Sequence, residues 1–132
     1  MMRRMWRIVG AAMVLGGAVT VSGAAEKTSV VLNAVHRIEE NAAAVKHDAS
    51  IYQWERVDDE VDRIVAAERK VHKALTRGAS TQDLADTLGH DVHDLRSARM
   101  ARDVKRAVQT SEKLTALIPK LRGAVTGSEA GH

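Results

Sequence analysis

Residues 31–49 read VLNAVHRIEENAAAVKHDA, and within them Val31, Val35, Ile38, Ala42, Val45 and Ala49 alternate spacings of four and three. At about 100° per residue these positions stay on one narrow stripe, so the stretch predicts an amphipathic helix. The rhythm returns at Val57, Val61, Ile64, Val71 and Leu75, after Ser50-x-x-Gln53, a capping-box pattern that predicts a second helix starting near Ile51 and stopping at Gly78. Ser80-Thr81 with Asp83 predicts the start of a third helix, whose stripe runs through Leu84, Leu88, Val92, Leu95 and Ala98. Asp103 suits the N-cap of a fourth, with Val104, Ala107, Val108, Leu114, Ile118 and Leu121 facing inward.

Charge order agrees with these boundaries. The second helix opens with Glu55, Asp58, Asp59 and Glu60 and closes with Lys70, Lys73 and Arg77; the third opens with Asp83 and Asp86 and approaches its end with Arg96 and Arg99. Acid at the N-terminus and base at the C-terminus complement the helix dipole at roughly 0.3–1 kcal/mol per well-placed charge. The fourth helix departs from this order, with Lys105 and Arg106 in its first turn. Between Arg99 and Arg102 there is neither Gly nor Pro, which leaves open whether the third and fourth helices are separate or continuous. Pro119 is expected to kink or fray the last turns, and Gly123 to His132 reads as a disordered tail.

Four helices with short connections predict an all-α fold, an antiparallel up-down-up-down four-helix bundle over residues 26–122. Its core is light: Val, Ala, Leu and Ile, with no Phe in the chain. The first and second hairpins have similar lengths, and Val57/Val61 is loosely echoed by Val104/Val108 without amounting to a repeat.

Ahead of the bundle, residues 1–25 have the form of a cleavable signal peptide. Arg3, Arg4 and Arg7 make a positive n-region, Ile8 to Val21 is uncharged, and Ser22-Gly23-Ala24-Ala25 supplies small residues before Glu26. The apolar run is about 14 residues where a bilayer span takes roughly 20. Cleavage after Ala25 is therefore expected, with Ala24 as the alternative, together with a periplasmic or secreted bacterial location and no membrane attachment afterwards. Arg3-Arg4 leaves twin-arginine export open beside general secretion. The formal charge of +3 comes wholly from the three leader arginines, since their removal leaves 17 basic against 17 acidic residues. A neutral mature chain lacks the basic field expected of a nucleic-acid binder.

The chain is similar in general shape to small exported bacterial helical proteins of unassigned function, on Trp54-Glu55-Arg56-Val57-Asp58 and Asp103-Val104-Lys105-Arg106-Ala107. The resemblance covers about half the chain and implies a fold without an activity.

Candidate sites follow from spacing. His90-Asp91-Val92-His93 puts two imidazoles three apart, with Asp86 and Asp94 a turn away, a donor set that could hold Zn²⁺ or Cu²⁺. Asp86, His90 and His93 lie opposite the apolar stripe, and nothing in the sequence supplies a fourth ligand or a further shell. His36 and Glu40 form another exposed pair, with His47 too far along the axis to join them. Glu68 falls near the centre of the second helix's stripe, and Ser111 and Thr115 fall on that of the fourth, so a small polar layer in the core is conceivable; otherwise Glu68 leans out to an arginine such as Arg99. Tyr52 and Trp54, the aromatic residues of the mature chain, sit together where the second helix begins, as a partner-binding anchor or as a plug on one end of the bundle.

No cofactor is expected. Without Cys there is no covalent haem attachment, Met100 is the one Met beyond the leader, and the fourth helix has no His for an axial ligand. The ferritin-like Glu-x-x-His pattern occurs only at Glu129, in the tail. No nucleophile-base pair or phosphate loop is visible. The sequence thus predicts a non-enzymatic binding module that engages an envelope protein or a second copy of itself, with weak divalent-metal binding as the alternative.

Overall fold

The computed structural model describes the backbone of residues 16–130 and the side chains of residues 27–127. Four α-helices follow one another: α1 Gly16–Ser50, α2 Trp54–Leu75, α3 Gln82–Ala101 and α4 Val104–Ala130, with a 3-10 turn at Ala79–Thr81. There is no strand among the described residues. The chain divides into a unit of residues 1–30 and a unit of residues 31–132, and the second is the all-α four-helix bundle. Most of the proposed leader lies outside the described residues; where its backbone is described, from Gly16, it is already the start of α1.

The stripes pack as expected. Val35, Ile38, Ala42, Val45 and Ala49 of α1, Val57, Val61, Ile64, Val71 and Leu75 of α2, Leu88, Val92, Leu95 and Ala98 of α3, and Ala107, Leu114, Ile118 and Leu121 of α4 are buried in one core. Each fully buried Val, Leu or Ile contributes roughly 1.5–3 kcal/mol relative to exposure. Ion pairs between neighbouring helices mark the order around the ring. Arg99 of α3 reaches Asp62 of α2 at 2.7 Å, Lys46 of α1 reaches Glu112 of α4 at 3.0 Å, and Arg122 of α4 reaches Glu39 of α1 at 2.5 Å.

Helix ends differ from expectation in two places. α2 begins at Trp54, because the capping box is not formed: Gln53 makes no side-chain cap bond and Ser50 Oγ donates instead to the Lys46 carbonyl at 2.7 Å. α4 passes through Pro119 and on to Ala130. Pro119 is exposed, so its ring meets water, and Ala124 and Val125 continue the apolar stripe past Gly123; the tail expected from Gly123 is therefore helical as far as Ala130. Between α3 and α4, where the sequence left separate or continuous helices open, the helix breaks. Arg102 adopts φ 52 in the left-handed region, its N–H donates to the Arg99 carbonyl and the Asp103 N–H to the Ala98 carbonyl, which is the Schellman way of ending a helix. Asp103 then caps α4 as expected, its Oδ1 accepting from the Arg106 N–H at 3.1 Å.

The α1–α2 corner has the same construction. Tyr52 has φ 61, its N–H donates to the Ala49 carbonyl and the Gln53 N–H to the Asp48 carbonyl. Tyr52 and Arg102 stand fifty positions apart, as do the helix starts Trp54 and Val104. Burial repeats at that offset: Ile38 with Leu88, Ala42 with Val92, Val45 with Leu95, Val57 with Ala107, Ile64 with Leu114, Val71 with Leu121 and Leu75 with Val125. The two halves are therefore equivalent helical hairpins. Their register is fifty, where the echo of Val57/Val61 in Val104/Val108 implied forty-seven; Val104 and Val108 are only partly buried.

Candidate functional site

Because the helices alternate in direction, the α1–α2 and α3–α4 corners lie at the same end of the bundle, and side chains join them. Arg102 places its guanidinium carbon 5.4 Å from the centroid of the Trp54 ring and pairs with Asp58 at 2.9 Å, while Arg99 donates to the Asp58 carbonyl at 3.2 Å. Trp54 is half-buried and packs on the core, so it closes this end as a plug under a cationic lid. Tyr52 is not part of the plug. It is 72% exposed, beside Ile51 at 48%, and Met100 of the other corner is 83% exposed. Among the described residues the one other large exposed apolar side chain is Val30, in the N-terminal unit.

Left-handed backbone at a non-glycine residue costs about 1–2 kcal/mol. Both corners carry that cost with a long side chain, Tyr52 or Arg102, where glycine would relieve it. At Arg102 the side chain's use is visible in its contacts with Trp54 and Asp58; at Tyr52 the ring faces water.

The metal candidates are spread along an exposed face. His90 Nε2 lies 3.5 Å from Asp94 Oδ2, Asp94 is also 3.4 Å from the Arg106 guanidinium, and Asp86 accepts from the Gln82 side chain at 3.2 Å. His93 is exposed. Among the described residues no group of three or more His, Asp, Glu or Cys side chains converges on a point where an ion could sit. His36 meets Glu40 at 3.5 Å and Glu39 at 3.7 Å on the exposed face of α1.

Of the three polar residues expected inside, only Ser111 is buried. Glu68 is only partly buried and pairs with His72 one turn on at 3.6 Å, while Arg99, its expected partner, is taken by Asp62. Thr115 is exposed, donating to the Ser111 carbonyl at 3.0 Å. Ser111 is fully buried with no hydrogen-bond partner for Oγ, and Thr110 beside it is buried as well. The acids that enter the interior are Asp48, Glu60 and Asp91, none of which the apolar stripe singles out. A signal for Asp48 and Glu60 was their position one place off the stripe residues Ala49 and Val61, at the closely packed α1–α2 corner.

Burial raises the Asp91 carboxyl above the ordinary carboxylate range, against the opposing charge of Lys113. Burial first, then the hydrogen bond and charge of Asp48, push Glu60 up to about 8, against the pull of Arg63 and Arg56. A groove of about 370 Å³ runs along α3 and α4 past Asp94, Arg106 and Thr110. Its charged lining is largely spoken for, since Asp94 pairs with Arg106 and Asp103 caps α4.

No helix among the described residues is long and apolar enough to cross a membrane. Comparison with family models, with curated proteins and with solved structures finds no match to this chain.

Proposed function

We propose that this protein is an exported, non-enzymatic helical bundle that works as a protein-interaction module, and that its corner end is the docking face. The observation that carries the reading is Tyr52, a large aromatic held outward at φ 61 where glycine would cost less. Strained backbone of this kind clusters at functional sites. Ile51 beside it and Met100 of the other corner are exposed apolar side chains at the same end of the bundle, where Arg102 stacks on Trp54. Tyrosine and methionine are residue types enriched at interfaces. Export is supported by the arginine-led, uncharged, small-residue pattern of residues 1–25.

The test uses the exported chain with a photo-crosslinker at residue 51, compared with a Tyr52→Ser/Met100→Ser variant. The expected result is one discrete adduct, with an envelope protein or a second copy, that the double variant loses while its helical circular dichroism is retained. Equal adducts from both proteins would remove the corner end from consideration. The intact mass of the same preparation checks export, with a chain starting at Glu26 as the expected species.

A further inference from the structure

The fifty-position correspondence fails at the acids of the α1–α2 hairpin. Where the α3–α4 hairpin has Ala98 and Thr110, the α1–α2 hairpin has Asp48 and Glu60, 5% and 8% exposed. The two carboxyl groups face each other within interaction range across the α1–α2 corner. Two carboxylates repel and neither can donate, so a hydrogen bond between them requires a proton on the pair. Glu60 Oε1 has no hydrogen-bond partner to compensate a charge there.

The surrounding charges do not change this. On α2 itself Arg56 and Arg63 act on Glu60, but Arg56 stands 4.0 Å from Asp48 with its side chain 67% exposed, so solvent screens it. Lys46 of α1 is turned to Glu112 of α4, and Arg99 of α3 is held by Asp62. His47 of α1, next to Asp48, points to solvent.

We infer that Asp48 and Glu60 form a proton-dependent latch, which holds the α1–α2 corner shut most firmly in acid and slackens as the pH rises, while the α3–α4 corner stays indifferent. The direction follows from linkage. Opening the corner returns Glu60 to its ordinary value of 4.5, whereas in the closed corner it stands at about 8. Between those values the closed form binds the extra proton, so each pH unit favours opening by up to about tenfold; below 4.5 and above about 8 the two forms bind protons equally and the dependence levels off. Ile51 and Tyr52 belong to the latched corner, so the docking face proposed above becomes pH-responsive. That consequence rests on the docking reading, and the latch itself does not.

Hydrogen exchange of the full chain between pH 5 and 9, corrected for the intrinsic pH dependence of exchange, tests the latch with the second corner as an internal control. Protection across residues 45–61 should fall steeply up to about pH 8 and then flatten, while protection across 95–111 follows a shallower course. Glu60→Gln keeps a donor for Asp48 without a titrating proton and should make 45–61 flat. Asp48→Asn removes the like charge and should end the fall at a lower pH. A flat profile in the parent, an unchanged fall in Glu60→Gln, or an equal fall in both corners overturns the latch. If Glu60→Gln does not fold, Asp48→Asn decides alone: the parent's profile retained in it also overturns the proposal.

Discussion

Arg102 lies over Trp54 at 5.4 Å while its guanidinium holds Asp58 at 2.9 Å, so one residue in left-handed conformation ties the α3–α4 corner to the start of α2. Replacing Arg102 with Leu removes both contacts and keeps the strained backbone. The expected cost is about 0.5–1.5 kcal/mol, accompanied by a change in Trp54 fluorescence. Urea unfolding followed by that emission measures both, and an unaltered midpoint with an unaltered spectrum would show the stack to be incidental.

Tyr52→Gly should have opposite effects on stability and binding. Glycine accepts the φ of 61 freely, so the variant should gain about 1 kcal/mol, which for a domain of this size raises the melting temperature by roughly 4–8 °C. The crosslinked adduct of the parent should disappear in the same protein. A stabilised variant that still crosslinks would separate the backbone argument from the docking argument.

Ser111 is the fully buried residue with an unpartnered hydroxyl, in the place where the other hairpin has Val61. Ser111→Ala should therefore raise stability by about 1 kcal/mol, in contrast to Leu114→Ala one turn further, which should cost about 2–5 kcal/mol. Thermal unfolding of the pair gives both signs in one experiment; a loss in Ser111→Ala would mean that the hydroxyl has a bonded water.

Asp91 is raised above the ordinary carboxylate range by burial. Its native form binds the proton more tightly than the unfolded chain does, so its contribution to stability is full in acid and is lost as pH rises through the native value. Asp91→Asn should melt higher than the parent near neutral pH and no higher at a pH below the unfolded carboxylate value. Parallel melting curves across pH would assign the raised value no energetic weight.

The face of His90, His93, Asp86 and Asp94 gives a further test. Their side chains are engaged separately, with Asp94 on Arg106 and Asp86 on Gln82, so Zn²⁺ added in calorimetry should give only weak heat that saturates poorly. Tight stoichiometric binding abolished by His90→Ala/His93→Ala would restore the metal reading.

Most stripe residues were legible in the sequence because a spacing of three and four is a direct projection of helical geometry; Val104 and Val108, read as facing inward, are the ones that stay outside the core. Asp103 was legible for a similar reason, as a short acceptor in front of a helix. The α3–α4 break was not, since its signal is usually glycine and here Arg102 takes the left-handed place, held by contacts with residues more than forty positions away. Glu60 escaped for the complementary reason. A carboxyl looks solvent-bound until it is known what faces it, and Asp48 faces it only once the corner at Tyr52 has folded back. Tyr52 and Trp54 were visible as a pair, but not their division of labour, which depends on the backbone turning Tyr52 away from the core while Trp54 stays against it.

The fifty-position register also bears on connectivity. Arg122 meets Glu39 across the α4–α1 seam, where Lys46 also pairs with Glu112, and the Asp62 that Arg99 holds across the α2–α3 seam stands fifty positions before Glu112. The ring thus has two seams of one kind, of which the chain happens to bridge only the second, through residues 76–81. A circular permutant, opened within that bridge and spliced from the end of α4 to the start of the bundle portion of α1, would carry its hairpins in reversed order and close the same ring.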